Sequence, residues 1–312
     1  MSHSNGSDGG YLAVCLNPVI QKTLVFPSLA KGEVNRTPEH RVDVAGKGVC
    51  CSRVLGQLGK RALHLTQLGG PTRDWFLGMC GVDGVDVAWV ESGSDIRFCT
   101  TIIDRAEGSA TELVEEALPV ENGTGQRILA KFDELLPQVA TVMLSGTKAG
   151  GFPASMMPDM AKRAATAGKR LVLDIKGRDL LDSLAYRPLV VKPNLEELLQ
   201  TYDPDLARTG GESDEGAMRD LVARIGREYQ ERHGSWLVVT RGSKPTLYWD
   251  GSALRECPAR PIQALNPTGS GDSFNVGLAT ALEGGATIAE AVAEGTRLGA
   301  LNAERLKPGS IV

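Results

Sequence analysis

Short apolar runs alternate with amphipathic stretches along nearly the whole sequence, and this alternation limits the available folds more than any other feature. The apolar runs predict buried strands, at 11–18, 61–70, 139–146, 169–175, 188–194 and 235–242. The stretches between them predict helices, at 46–58, 123–136, 153–167, 194–200, 214–232, 271–283 and 287–304. The sequence therefore predicts an α/β fold with a doubly wound, Rossmann-like parallel sheet. Ligands of such sheets bind beyond the carboxyl ends of the strands.

Two insertions interrupt this alternation. Residues 19–44 are polar and extended, and residues 96–116 alternate like a hairpin that turns at "RAEGS". We predict that segments of about 19–44 and 91–118 form a small antiparallel β-sheet, which serves as a lid over the strand ends, as a dimer surface, or as both. Residues 11–312 are predicted to form one domain behind a flexible leader, residues 1–10, with a glycine-rich loop at 208–216.

Charge and cysteine content exclude several classes of function. The net charge of −4 argues against a nucleic-acid or membrane-surface binder, because both need an excess of basic residues. The six cysteines include no CxxC pair, and no Cys/His spacing suits zinc. No apolar run approaches the roughly 18 residues that a membrane-spanning helix requires. We therefore expect a cytoplasmic protein with reduced thiols.

The stretch "NPTGSGDSFNVG", residues 266–277, places one acid directly after a glycine-rich turn at the start of a predicted helix. It matches neither a Walker loop, which needs a lysine, nor a dinucleotide fingerprint, which needs a further glycine. The backbone N–H groups of Gly269, Ser270 and Gly271 are expected to be unpaired and able to bind a developing anion. Asp272, held ionised by the helix dipole, could accept a hydroxyl proton, so the loop suits phosphoryl transfer. The alternative is that these residues only cap a helix and form a turn.

Further motifs accompany this loop at regular places along the chain: "CLNP" (15–18), "GEVNR" (32–36), "AGKGVCCSRVLGQLG" (45–59), "LSGT" (144–147), "KPNLEEL" (192–198) and "LGALNAERLKPGSIV" (298–312). Together they resemble the ribokinase-like (PfkB) carbohydrate kinases, most of all the 1-phosphofructokinase and tagatose-6-phosphate kinase branch. The resemblance covers nearly all of the chain from residue 11. It implies that the protein uses ATP and Mg²⁺ to phosphorylate a hydroxyl of a small sugar phosphate.

The resemblance also implies roles for residues around the acceptor. Asp272 is expected to be the catalytic base, beside an anion hole formed by Gly269, Ser270 and Gly271. Lys47, which follows Gly46 in a glycine-flanked loop, and Arg97 match positions that hold the phosphate already present on the substrate. Hydroxyl donors are expected at the end of one predicted strand, from Ser145 and Thr147.

On the nucleotide side, the resemblance places Lys192, Thr240 and Gly242 near the ATP phosphates and Asn302 near the base or ribose. Asn194 and Glu197 match a motif that orders water around Mg²⁺, an ion that keeps several waters and few protein ligands. Without the resemblance, the same two residues are typical of a helix N-cap with an acidic first turn.

Three positions aimed at the sugar depart from the family pattern. Gln21 stands where the family has an aspartate that binds sugar hydroxyls, while Cys50 and Phe98 each replace an asparagine. Such losses shift or relax specificity. We therefore keep two hypotheses: a kinase for a phosphorylated acceptor of the tagatose 6-phosphate or fructose 1-phosphate type, or a catalytically weak or inactive relative that binds nucleotide or metabolite. A homodimer through the lid would cover the apolar alternate face of "FCTTII" (98–103).

Overall fold

The computed structural model describes residues 9–208 and 215–312. Residues 1–8 of the predicted leader and most of the predicted 208–216 loop lie outside the described residues. The carbonyls of Gly9 and Gly10 both accept the N–H of Ala140, so the described end of the leader is bonded to the fold.

Thirteen strands are found in the described residues: β1 Tyr11–Val14, β2 Val19–Phe26, β3 His40–Ala45, β4 Ala62–Leu68, β5 Asp86–Glu91, β6 Arg97–Asp104, β7 Ser109–Val114, β8 Thr141–Ser145, β9 Arg170–Asp174, β10 Val190–Val191, β11 Trp236–Arg241, β12 Lys244–Trp249 and β13 Leu254–Cys257. Nine of these described strands form one sheet in the order β13-β12-β11-β10-β9-β8-β1-β4-β5. Its strands are parallel from β11 to β5, and β12 and β13 continue it as antiparallel strands.

Ten α-helices are found in the same residues: α1 Lys47–Gln57, α2 Arg73–Val82, α3 Thr124–Leu135, α4 Met156–Thr166, α5 Gly177–Ser183, α6 Leu195–Tyr202, α7 Pro204–Arg208, α8 Glu215–His233, α9 Ser270–Glu283 and α10 Ile288–Ala303. Alternate residues of β1 point to opposite faces of the sheet, where they join two separate cores. Leu12 and Val14 belong to the core that includes residues of α3, α4, α6 and α8, whereas Tyr11 and Ala13 belong to the core that includes residues of α1, α9 and α10. The prediction of a doubly wound α/β fold is confirmed.

The remaining four described strands form the lid sheet, in the order β3-β2-β6-β7. The β6–β7 hairpin turns at residues 105–108, as the sequence predicts. The lid is not purely antiparallel, because β2 and β6 pair in parallel. Gln21, Thr23 and Thr101 lie on its buried face. The opposite, outer face is covered by α2 at Ile20 and Val44, and it leaves Phe98 and Leu113 exposed.

Several elements were not predicted from the sequence, among them α2, α5 and the antiparallel strands β12 and β13. Helix α2 contains two glycines, Gly78 and Gly81, which lower its intrinsic helix preference. It forms because Phe76 and Cys80 are buried against the outer face of the lid sheet, with Ile20 and Val44. No helix within the described residues is long and apolar enough to cross a membrane.

Candidate active site

The glycine-acid loop lies at the start of α9. Gly269 precedes the helix with φ +83°, a left-handed conformation that favours glycine. The N–H groups of Gly269, Gly271 and Asp272 have no hydrogen-bond acceptor among the described residues. Because these amides stand at a helix start, they form a nest for negative charge.

One member of the predicted anion hole needs correction. The N–H of Ser270 donates to the carbonyl of Pro267 at 3.0 Å, closing a turn, so it is not available to an anion. The Ser270 hydroxyl accepts a hydrogen bond from the side chain of Asn302 at 3.0 Å. Ser270 therefore shapes the loop, and the free amides are those on either side of it.

Asp272 is buried, with 8% of its surface exposed. Burial is the main influence on its carboxyl group and raises the pKa to about 7, although the charge of Lys47 acts in the opposite direction. Burial therefore acts against the ionised form that the helix dipole was expected to favour. A pKa near neutrality suits a general base, since the group can both accept and release a proton.

Two adjacent thiols of α1 meet this acid. Cys51 Sγ donates to the backbone carbonyl of Asp272 at 3.8 Å, and the Cys50 thiol interacts with the Asp272 carboxylate and lowers its pKa. Burial raises the pKa of both thiols well above the usual range, so they are neutral groups. Cys50, predicted to stand at a sugar-reading position, thus interacts with the Asp272 carboxylate.

Lys47 is also paired within the protein. Its Nζ lies 3.0 Å from Asp174 Oδ1 and 3.3 Å from Glu197 Oε1. Burial alone would lower the pKa of Lys47, but the two carboxylates outweigh it and raise the pKa. Gly46, with φ +96°, starts α1 and directs Lys47 towards the strand ends. Lys47, which was predicted to bind the substrate phosphate, therefore lies at the strand ends, where it forms ion pairs with Asp174 and Glu197.

Asp174 is a site residue that the sequence analysis missed. It ends β9, is 1% exposed, and lies 3.4 Å from the Nζ of the buried Lys192. Burial raises its pKa, but the charges of Lys192 and Lys47 outweigh burial and lower the pKa. A Cβ at Gly271 would lie 3.9 Å from Lys192 Nζ, so the predicted nucleotide lysine does stand beside the glycine loop.

Asn194 and Glu197 form a capping box at the start of α6. Asn194 Oδ1 accepts the N–H of Glu197 at 2.8 Å, and Glu197 Oε2 accepts the N–H of Asn194 at 3.0 Å. Glu197 can therefore cap α6 and also bind a cation, because its other oxygen, Oε1, lies 3.3 Å from the ammonium group of Lys47. Among the described residues, no group of three or more His, Cys, Asp or Glu side chains could hold a metal ion.

The lid contributes a hydrogen-bonded chain that reaches the glycine loop. Gln21 Nε2 donates to Thr101 Oγ1 at 2.9 Å, and Thr101 Oγ1 lies 3.4 Å from Thr268 Oγ1. Thr268 in turn donates to Glu112 of β7 at 2.9 Å. Gln21, predicted to contact substrate, thus has a partner on the neighbouring strand.

Arg97 is the first residue of β6 and pairs with Val19 of β2. Val19 also pairs with Ala45, at the end of β3. The register therefore brings Arg97 to the same end of the lid as Lys47. One guanidinium nitrogen of Arg97 donates to the carbonyl of Glu115 at 3.0 Å, while Nε is buried with no partner in the described part of the chain.

Buried polar atoms that find no partner within residues 9–208 and 215–312 cluster at the carboxyl ends of three adjacent strands. They are Asn17 Oδ1 after β1, Ser145 Oγ in β8 and Asp174 Oδ2 in β9. Thr147 Oγ1 accepts a hydrogen bond from Asn17 Nδ2 at 3.0 Å. Because buried polar groups are normally paired, these atoms indicate a place where a polar ligand supplies the missing hydrogen bonds.

A cleft of about 1230 Å³ opens on the other side of the glycine loop. Ser270 and Gly271 of the loop line it, together with Asn194, Thr240 and Gly242, three residues predicted on the nucleotide side. Two arginines that were not singled out in the sequence, Arg241 and Arg260, also line it. Arg241 ends β11 and Arg260 precedes the glycine loop, and these positions were the signal for them in the sequence.

Asn302 does not belong to this wall. It is fully buried, and its Nδ2 donates to the carbonyl of Thr268 at 2.9 Å and to Ser270 Oγ at 3.0 Å. Its Oδ1 accepts the N–H of Ser310 at 3.0 Å. The prediction of a contact with base or ribose is corrected: Asn302 ties the glycine loop to the end of the chain.

A buried acid beside unpaired amides, at the end of a nucleotide-sized cleft, defines a phosphotransferase of the α/β class. The model of the pfkB family carbohydrate kinases matches residues 13–311. The chain therefore belongs to the pfkB family of carbohydrate kinases.

Solved structures with the same fold include three informative ones. Phosphofructokinase-2 from Escherichia coli in complex with substrates and products is 20% identical, with a TM-score of 0.78, and the match covers 95% of this chain and 93% of that one. The tetrameric inhibited form of that enzyme is 20% identical, with a TM-score of 0.76 and coverage of 95% and 94%. A protein from Thermotoga maritima described as a possible 1-phosphofructokinase is 18% identical, with a TM-score of 0.79 and coverage of 95% and 92%.

Proposed function

We propose that the protein transfers the γ-phosphoryl group of ATP to a hydroxyl of a small sugar phosphate. The observation that carries this proposal is the buried Asp272, whose pKa is about 7, beside the unpaired amides of Gly269 and Gly271 at the end of the cleft. Asp272 takes the proton of the acceptor hydroxyl, whose oxygen attacks the γ-phosphorus as the bond to ADP breaks in line. The free amides stabilise the charge on the migrating phosphoryl group.

Mg²⁺ fits the two acids that pair with Lys47, Asp174 and Glu197. Asp174 Oδ2 is buried without a partner in the described residues, and the ammonium of Lys47 already lies between Asp174 and Glu197, so this pair favours a cation. Asp174 and Glu197 would hold the ion largely through water, because no larger acidic cluster is found in the described residues. When bound, the ion would neutralise phosphate charge.

The acceptor is proposed to be phosphorylated, of the fructose 1-phosphate or tagatose 6-phosphate type. Lys47 and Arg97 stand at one end of the lid and can pair with a dianion, and the Nε of Arg97 has no partner among the described residues. Ser145 and Asn17 offer further unpaired polar atoms for the acceptor. One of the related structures, E. coli phosphofructokinase-2, is solved with fructose-6-phosphate.

Lid closure is proposed to exclude water from the reaction, so that ATP is not hydrolysed. The contacts of Thr268 with Thr101 and Glu112 support this role, because they connect two lid strands to the glycine loop. We also propose a homodimer through the lid, since Phe98 and Leu113 leave part of its outer face apolar and exposed. The tetrameric relative shows that this fold supports oligomers.

An acceptor screen tests the proposal. ADP production is measured with fructose 1-phosphate, fructose 6-phosphate, tagatose 6-phosphate and non-sugar phosphates, each against an acceptor-free control. We expect at least one sugar phosphate to raise ADP production well above the control.

The rival hypothesis is a catalytically weak or inactive relative. It is favoured by the hydrogen bond of Gln21 to Thr101 and the ion pair of Lys47 with Asp174, which occupy these two side chains within the protein. It predicts that ATP raises the melting temperature while no acceptor raises ADP production. That outcome would contradict the proposed activity.

A further inference from the structure

The end of the chain packs directly behind the glycine loop. Residues 308–311, here called the C-terminal strap, are buried although they lie within five residues of the C-terminus and outside any helix or strand. A Cβ added to Gly269 would collide with the backbone nitrogen of Gly309. A Cβ added to Gly309, whose φ is +63°, would lie 2.6 Å from Cα of Cys50. The strap is therefore held, backbone against backbone, between the glycine loop and α1.

Asn302 joins the loop and the strap through one buried amide. Its nitrogen donates to Thr268 and Ser270 of the loop, and its oxygen accepts from the N–H of Ser310 in the strap. A shift of the strap would therefore break bonds that fix the carbonyl and hydroxyl next to the free amides.

Two residues of α1 anchor the strap from the other side. Gln57 Oε1 accepts the N–H of Ile311 at 2.8 Å, and its Nε2 donates to Ser310 Oγ at 3.1 Å. Arg53, which is 3% exposed, donates to the carbonyl of Pro308 at 2.6 Å and to the carbonyl of Val44 in lid strand β3 at 2.8 Å. The strap is thus bonded to the same helix that carries Lys47.

We propose that the C-terminal strap is a positioning element for phosphoryl transfer, which fixes the glycine loop and its free amides relative to α1. The proposal rests on the proposed function, in which those amides stabilise the migrating phosphoryl group. No strap residue lines the nucleotide cleft, so loosening the strap lowers kcat without weakening nucleotide binding. Gln57, Asn302 and Gly309 are positioning residues in this scheme.

The test uses Gln57→Leu in the full chain, because this substitution removes both side-chain bonds to the strap. The backbone amides of Thr268, Ser270 and Ser273 are hydrogen-bonded within the loop, and we expect their hydrogen exchange to accelerate about tenfold. Losing ordinary hydrogen bonds changes an equilibrium by about this factor. We expect kcat to fall by a similar factor, with the dissociation constant of a non-hydrolysable ATP analogue unchanged within about twofold.

Two further variants separate positioning from general destabilisation. Gln57→Glu keeps an acceptor for the N–H of Ile311. The Ser310 hydroxyl, which donates to the carbonyl of Val312 at 3.1 Å, can turn to donate to the new carboxylate, so we expect most of the loop protection and kcat to return. Tyr229→Phe removes a buried hydrogen bond to Tyr202, 2.6 Å long, in the core on the opposite face of the sheet, and is expected to leave loop exchange unchanged.

The two readouts distinguish failure of this proposal from failure of the proposed function. Unchanged loop exchange in Gln57→Leu, or acceleration equal to that in Tyr229→Phe, overturns the role of the strap. Wild-type protein that phosphorylates no acceptor overturns the proposed function, while the exchange measurement still decides whether the strap holds the loop.

Discussion

The proposed nucleotide half and the proposed acceptor half of the site differ in how much of their polar surface is already paired. The nucleotide half is an open cleft whose wall includes Thr240 and Gly242, with Gly271 at its end. The acceptor half is closed by pairs within the protein, in which Lys47 binds Asp174 and Gln21 binds Thr101. An acceptor must therefore replace existing contacts, whereas a nucleotide can enter existing space. Specificity is expected to depend on the strength of those internal pairs.

The largest expected effect concerns Asp272, which stands between the two halves. Asp272→Asn keeps the shape of the side chain but removes the base, so we expect kcat to fall by about 10²–10⁴. Binding of a non-hydrolysable ATP analogue should change little. Asp182→Asn is the matched control, because Asp182 makes the same change of an acid to an amide in an exposed pair with Arg178. Equal turnover by wild type and Asp272→Asn would remove Asp272 from the mechanism.

Lys47→Met tests whether the paired lysine of the acceptor half also binds the substrate phosphate. We expect the KM for a phosphorylated acceptor to rise about 10–100-fold, the effect of losing one charge-assisted hydrogen bond. Lys176→Met is the control, since Lys176 pairs with Gln200 on an exposed part of the surface. An unchanged KM would mean that Lys47 serves only Asp174 and Glu197.

The pH dependence of kcat/KM sharpens the role assigned to Asp272. The base must be ionised to act, and its pKa is raised to about 7, so activity should fall about tenfold for each pH unit below 7. Cys50 lowers this pKa, so in Cys50→Ala the acidic limb should move to higher pH. A limb that stays near pH 4 would show that Asp272 is not desolvated in solution.

The smallest effect is expected from Gln21→Leu, which breaks the bond to Thr101 within the lid. The free energy of unfolding should fall by about 1 kcal/mol, measured by urea denaturation, because one buried hydrogen bond is lost. Turnover with the best acceptor should change only a few-fold. A loss of activity as large as that of Asp272→Asn would instead make Gln21 part of the catalytic machinery.

The sequence was sufficient for features that depend on local pattern. The apolar runs predicted the main parallel strands, and the glycine-acid stretch predicted both the start of α9 and the acid beside it. The lid hairpin followed from alternation around a polar turn. These features depend on short-range periodicity and turn chemistry, which a single sequence carries.

The features that it did not reveal depend on contacts between distant segments. Asp174 resembles any acid after a strand until the parallel register places it beside Lys47, 127 positions away. The raised pKa of Asp272 reflects burial by α1, and the role of Asn302 depends on the course of the strap. Neither burial nor the path of an irregular segment is encoded in local spacing.

The most direct test of the central claim is a single-turnover reaction with ATP labelled in its γ-phosphoryl group, carried out with and without a sugar phosphate. We predict that the label passes to the acceptor in step with ADP formation, and that Asp272→Asn binds the labelled ATP but transfers the label at least about 10²-fold more slowly. Label that appears only as inorganic phosphate, at a rate indifferent to the acceptor or to Asp272, would contradict the account.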